Sequence, residues 1–248
     1  MTLPDPATVR ALLLDAGGVL VRPSFARVAE ALRARGVAAD PGALAAAEPR
    51  VKKALDRPPS PGFATDAERG WHYFNLVLSE SGIARSPATD AALLELKAWH
   101  DRHCLWEDVL EGVRPSLERF RAAGLRLAAV SNSNGTLRRL FDRLGFTPAF
   151  DVILDSQVEG VEKPDPRIFR LALERLGEEA GAALHVGDLY HVDVAGARAA
   201  GVRAVLVDEA GLYPEADCPR VRGLAELAGH LAPRGAGGHI SATLRPER

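Results

Sequence analysis

The 248-residue chain is 47% hydrophobic with a formal net charge of -2, long enough to bury a full core as one Rossmann-sized domain carrying an insertion or as two small domains. That balance excludes a basic surface for nucleic acid, and no run of like charge makes an acidic or basic tail. The two cysteines, Cys104 and Cys218, form no CxxC or Cys/His pattern, which argues against a disulfide framework or a zinc site and for a reducing compartment.

The first residues, MTLPDPATVR, carry neither a signal-peptide nor a transit-peptide pattern, and no apolar run is long enough to span a bilayer. The expectation is a cytoplasmic protein with no membrane partner. The first apolar run, Ala11–Leu14, stops at Asp15 and is followed by Ala16-Gly17-Gly18. From Pro23 to Cys104 no strand run appears and helix signals repeat. Ser24 is placed to cap a helix ending at Gly36, Thr65-Asp66-Ala67-Glu68 reads as a capping box, and Ser86-Pro87 opens a helix running through Leu93, Leu94 and Trp99. Three prolines between Arg57 and Gly62 mark a loop within this stretch.

Beyond Cys104, strands and helices alternate. A helix over 114–123 stops at Gly124, and the apolar run 125–130 ends at Ser131. A helix over 135–144 stops at Gly145, and Asp165-Pro166 opens another that stops near Gly177. The runs 182–186 and 202–207 end at Gly187-Asp188 and Asp208. Unbroken apolar runs suit strands buried on both faces of a parallel sheet, and the helices between them supply the crossovers. The fold class is therefore α/β, a doubly wound Rossmann-like parallel sheet with an inserted helical domain. The expected division is a core of 1–21 and 105–232, a helical insertion of 22–104, and a loosely held, Gly-rich tail of 233–248.

In an open parallel sheet, ligands bind beyond the carboxyl ends of the strands, so Asp15, Ser131 and Asp188 share one crevice. Gly17 and Gly18 let main-chain groups approach a small anion. Carboxylates from two strand ends, with Asp193 five residues after Asp188, suit Mg²⁺, which prefers oxygen ligands and accepts phosphate oxygens. Lys163, one of only four lysines, precedes a helix start and brings a charge that neutralises both a nucleophilic carboxylate and a phosphate.

These segments, Leu14-Asp15-Ala16-Gly17-Gly18-Val19-Leu20, Val130-Ser131-Asn132-Ser133, Lys163-Pro164-Asp165 and Gly187-Asp188 with Asp193, resemble in order the four motifs of the haloacid dehalogenase superfamily. The helical insertion resembles that family's cap. The resemblance implies a hydrolase in which Asp15 attacks a small phosphorylated metabolite and forms an aspartyl-phosphate, with Ser131 and Lys163 as catalytic partners. It implies Mg²⁺ on Asp15, the Gly17 carbonyl and Asp188, with Asp193 as ligand, water holder or partner of Lys163. Gly18, Ser131, Asn132 and Lys163 would bind the substrate.

One departure stands out. Phosphatases of the superfamily usually carry an acid/base aspartate where this chain has Gly17, and general acid–base help is typically worth ~10²–10⁴-fold. Glu162, His191 and residues of the insertion are the candidates to replace it. Phosphonate-cleaving members also have a small residue there and use a cap lysine as a Schiff base, which keeps Lys52 and Lys53 in view. A protein that binds phosphate without turnover is the remaining alternative. Taken alone, Lys52 and Lys53 read as a solvated helix face, because nothing in the local sequence would depress a lysine pKa. The aromatics Trp71, Tyr73, Phe74, Trp99 and Trp106 read as core, and His72, His100 and His103 as packing or surface residues. Arg22 reads equally as a substrate contact or a hinge residue, and the oligomeric state is left open.

Overall fold

The computed structural model describes residues 1–57 and 66–232. Strand β1 (Ala11–Leu14) leads through a glycine turn into the two-residue β2 (Val21–Arg22). Four helices follow: α1 (Phe25–Arg33), α2 (Pro41–Leu55), α3 (Asp66–Glu80) and α4 (Pro87–His103). Strand β3 (Asp108–Val109) then returns antiparallel to β2, with Val21 opposite Val109 and Arg22 opposite Asp108. The rest alternates: α5 (Val113–Ala122), β4 (Arg126–Ser131), α6 (Leu137–Leu144), β5 (Val152–Asp155), α7 (Ser156–Glu159), α8 (Pro166–Leu176) and β6 (Ala183–Gly187). A π turn over Tyr190–Val194, α9 (Ala195–Ala199), β7 (Arg203–Val207), β8 (Arg220–Val221) and α10 (Leu224–Leu231) close the chain.

The main sheet has the order β5-β4-β1-β6-β7-β8, and every pairing in it is parallel. Successive side chains of β1 point to opposite faces. Ala11 and Leu13 join a cluster with Ile168 and Phe169, whereas Leu12 and Leu14 join Phe120 and Phe141 on the other side. Both faces are apolar, so the strand cannot alternate polar and apolar residues and reads as a solid run. Leu13 is wholly buried, so truncating it to Ala would leave a cavity at a cost of about 2–5 kcal/mol. Helices α1–α4 surround a third cluster that includes Val28, Leu32, Leu44, Phe74 and Leu96.

Helix ends follow local chemistry. Asp165 accepts from the Arg167 N–H ahead of Pro166 at the start of α8, and Gly145 and Gly177 close α6 and α8 in the left-handed conformation. Ser86 and Thr89 form a reciprocal capping box on α4. Ser24 stands at the N-cap of α1, but its side chain makes no capping bond. Two elements carry weak sequence signals: α2 contains an internal Pro49 that obscures its period, and β5 is only four residues long. The capping box at Thr65, the prolines between Arg57 and Gly62, and the tail over 233–248 lie outside the described residues. No helix of the described residues is long and apolar enough to cross a membrane.

Candidate active site

Strand β1 neighbours β4 on one side and β6 on the other, so the winding of the sheet reverses at β1. Asp15 follows β1, Ser131 ends β4 and Asp188 follows β6, which brings three separate segments to one rim at the switch point. A cavity of about 660 Å³ opens there. The sheet side contributes Asp15, Gly17, Gly18, Ser131, Lys163 and Asp188, and the helical side contributes Glu48, Lys52, Tyr73, Phe74 and Trp106.

The centre of the site is a chain of buried charges. Oδ1 of Asp15 accepts from the Ala16 N–H at 2.7 Å and lies 2.8 Å from Lys163 Nζ. The same ammonium donates to Asp193 Oδ1 at 2.7 Å, and Lys163 is only 1% exposed. Asp193 is fully buried; its Oδ1 also faces His185 Nε2 at 3.0 Å, and its Oδ2 accepts from the Leu189 N–H at 3.0 Å. Burial works to lower the Lys163 pKa, but Asp15 and Asp193 outweigh it and hold the ammonium charged, above its usual range. Burial likewise works to raise Asp193, yet Lys163 and His185 bring it below the usual carboxylate range. Asp15 goes the other way: burial, opposed by Lys163 but assisted by Asp193 and Asp188, pushes it up to about 7. Burial also raises Asp188.

Oxygens of Asp15, Asp188 and Asp193 all lie within 4.8 Å of one another. Three crowded carboxylates, two of them pushed up by burial and mutual repulsion, form a hard-oxygen donor set that fits a divalent cation such as magnesium. Among the three, Asp193 already receives three protein donors, so its geometry is that of a partner to Lys163. Asp15 and Asp188 would be the better-placed of the three to hold such a cation.

The glycines differ in what they do. Gly18 has φ +71°, and a Cβ there would stand 1.9 Å from Asp188 Oδ2, so only glycine fits between the turn after Asp15 and that acid. Gly17 has no positive φ, and a Cβ on it would meet the Trp106 indole at 3.4 Å, an ordinary contact. The region where an acid/base side chain at this position would stand is therefore bordered by an aromatic wall, in which Trp106 packs against Tyr73, Phe74 and His100.

Several sequence expectations change here. Lys52 is not on a solvated face: it reaches into the cavity and donates to Asp188 Oδ2 at 2.7 Å. Burial opposes its charge, but Asp188 and Glu48 outweigh this and raise its pKa. Lys53, one residue on, turns away, pairs with Glu215 and stacks over the Tyr213 ring. His191 packs against Asp56 instead of lining the cavity. Asn132 lines the cavity but directs both ends of its amide to the main chain of Lys163: Nδ2 donates to the carbonyl at 2.9 Å, and Oδ1 accepts from the N–H at 2.8 Å. That arrangement braces the Lys163 main chain from a residue that also lines the cavity.

Glu162 and His100 line the cavity, with His100 Nδ1 accepting from the Leu105 N–H. His103 stacks on Trp99, so the two histidines share no metal-like arrangement. Arg22 lines a smaller cavity beside Gly18, Glu48 and Lys52. Tyr73 and Phe74 belong to the core of the helical insertion and also line the main cavity. Glu48 was not singled out by the sequence. It is buried on α2, accepts from the Tyr73 hydroxyl at 2.9 Å, and is raised by burial. A glutamate four residues before Lys52 on one helix face was the available signal.

A family model described as haloacid dehalogenase-like hydrolase matches residues 9–201. The haloacid dehalogenase-like hydrolase domain-containing protein 3 of Homo sapiens is 32% identical over 221 residues, covering 86% of each chain. A phosphoserine phosphatase of Thermus thermophilus is 44% identical over 108 residues, covering 41% of this chain and 42% of its own. The putative HAD-hydrolase YfnB from Bacillus subtilis, solved bound to magnesium, superposes with a TM-score of 0.66 at 22% identity, covering 90% of this chain and 98% of its own, a likeness of fold. With its motifs gathered at one rim of the sheet and the family match spanning most of its length, this chain belongs to the haloacid dehalogenase-like hydrolases.

Proposed function

We propose that the chain is a magnesium-dependent phosphatase for a small phosphorylated metabolite, acting through an aspartyl-phosphate on Asp15. The carrying observation is the Asp15–Lys163–Asp193 chain of contacts with Asp188 beside it. The phosphoserine phosphatase among the relatives supports the phosphoester class. Residues 1–21 and 105–232 act as the catalytic core and 22–104 as the cap. Both cysteines are free and buried, which supports a reducing, cytoplasmic setting.

Ala16 N–H and Lys163 both engage Oδ1 of Asp15, which leaves Oδ2 to attack phosphorus. The phosphorus–oxygen bond to the leaving group breaks as the bond to Asp15 forms, and water then attacks the same phosphorus to release phosphate and restore the carboxylate. Lys163 and Ser131 offset the charge on the transferring group, and Asp193 and Asn132 hold Lys163 in position. Asp15, Asp188 and the Gly17 carbonyl would hold the magnesium, which when bound would supply positive charge to compensate the carboxylates and phosphate oxygens. With glycine at position 17, turnover depends on how good the leaving group is.

Two further readings fare less well. Schiff-base phosphonate cleavage needs an uncharged cap amine, whereas Lys52 is held charged by Asp188 and Glu48, and Lys53 does not line the cavity. Binding without turnover leaves the poised Asp15 unexplained. The test is phosphate release from a panel of phosphorylated metabolites with magnesium or with chelator, in wild type and Asp15→Asn. Equal release by both proteins would eliminate the nucleophile, and a borohydride-trapped carbonyl adduct on Lys52 would restore the phosphonate reading.

A further inference from the structure

The cap meets the core where α2 ends. Its last turn presents Lys52 to Asp188, and its C-cap residue, Asp56, reaches the segment just beyond. Asp56 Oδ2 accepts from the Tyr190 N–H at 2.7 Å and the Tyr213 hydroxyl at 2.8 Å. Its Oδ1 accepts from the His191 N–H at 2.9 Å and lies 3.3 Å from His191 Nδ1. The Asp56 side chain is 0% exposed, so this carboxylate is satisfied almost wholly by core groups.

The first amides of any helical turn lack partners within the turn. Here they belong to Tyr190–Val194, whose own N-cap residue, Leu189, contributes no side-chain bond. The cap supplies the missing acceptor from 134 residues earlier. This turn begins two residues after Asp188 and carries Asp193, so it fixes the spacing of two of the three site acids.

We infer that Asp56 is a positioning residue for the cation site: by holding the Tyr190–Val194 turn from the cap, it links cap docking to metal affinity. The inference rests on the magnesium reading above. If docking orders the turn and an ordered turn binds the cation better, then cation binding must in return strengthen docking.

Mn²⁺ titration followed by electron paramagnetic resonance tests this on the full chain without substrate. Asp56→Asn, which sets an amide NH₂ against main-chain donors, is expected to weaken Mn²⁺ binding by roughly tenfold or more, as loss of groups that orient metal ligands commonly does. Tyr213→Phe should weaken it less, in the same direction. Arg50→Ala, which removes an exposed α2 contact with Glu80, should leave it unchanged. In wild type, Mg²⁺ should slow amide exchange at residues 190 and 191. A folded Asp56→Asn protein that binds Mn²⁺ as wild type does overturns the inference, and so does wild-type exchange indifferent to Mg²⁺. If Asp56→Asn fails to fold, Tyr213→Phe and the wild-type exchange decide. Wild type that binds no divalent cation would instead overturn the magnesium reading itself.

Discussion

Lys52 and Asp188 form a 2.7 Å ion pair between the cap and the acid beyond β6, and the lysine ammonium would stand 2.9 Å from a Cβ on Gly18. One cap charge thus sits on an acid that the cation reading also uses. Replacing Lys52 by Met removes positive charge from beside that acid, so Mg²⁺ should bind roughly tenfold more tightly while kcat/KM for a phosphoester falls. Calorimetric Mg²⁺ titration alongside steady-state kinetics reads both changes. Weaker binding in the variant would mean that Lys52 chiefly holds Asp188 in place.

The adjacent glycines should respond differently to the same methyl group. Gly18→Ala combines a left-handed backbone with a Cβ only 1.9 Å from Asp188 Oδ2, so it should lose at least the ~1–3 kcal/mol of such strain, and activity with it. Gly17→Ala meets only the Trp106 indole at 3.4 Å and should stay within about 0.5 kcal/mol of wild type. Urea denaturation of the two variants decides, and similar losses would contradict this account.

Gly17→Asp tests the missing acid. The backbone at 17 permits a side chain, and the nearby indole N–H of Trp106 is a donor able to hold a carboxylate. Turnover of alkyl phosphates should rise by ~10²-fold or more, while p-nitrophenyl phosphate, whose leaving group needs no proton, should change little. A uniform change across both esters would count against an acid role at this position.

The pH dependence of stability follows from Asp15. Its carboxyl is raised from 3.8 to about 7, first by burial, so the folded metal-free protein keeps a proton that the unfolded chain has released. More protons bound in the folded state make stability fall as pH rises from about 4 to about 7, and Asp188 shifts in the same direction. On the magnesium reading, the cation would bind the deprotonated acids and offset this loss. The gap in melting temperature between magnesium-saturated and chelated protein should therefore widen from about pH 5 to about pH 8. Scanning fluorimetry showing a constant gap would rule out Asp15 as the titrating group.

The sheet and its acids were legible because parallel strands buried on both faces announce themselves as solid apolar runs, and the residue after each run must reach the rim. Asp15, Ser131 and Asp188 needed nothing more. Lys52 was not legible, because what surrounds it is Asp188, 136 residues away just beyond β6, and α2 itself, whose pattern is broken by Pro49. Asp56 was hidden because its partners are two main-chain amides, which have no sequence signature, and side chains of His191 and Tyr213, 135 and 157 residues away. Asn132 illustrates the reverse, since its position was evident but its direction, toward Lys163, depends on packing between β4 and the start of α8.

The short β2–β3 ribbon has its own consequence. Because Val21 faces Val109 and Arg22 faces Asp108, the chain leaves the sheet and rejoins it through a single two-stranded neck. From the standpoint of β1, everything threaded through that neck is a closed loop, and lengthening such a loop costs only about 0.6 kcal/mol for each doubling. The segment beyond the neck can therefore change in length and sequence over evolutionary time while Asp15 keeps its place between β4 and β6.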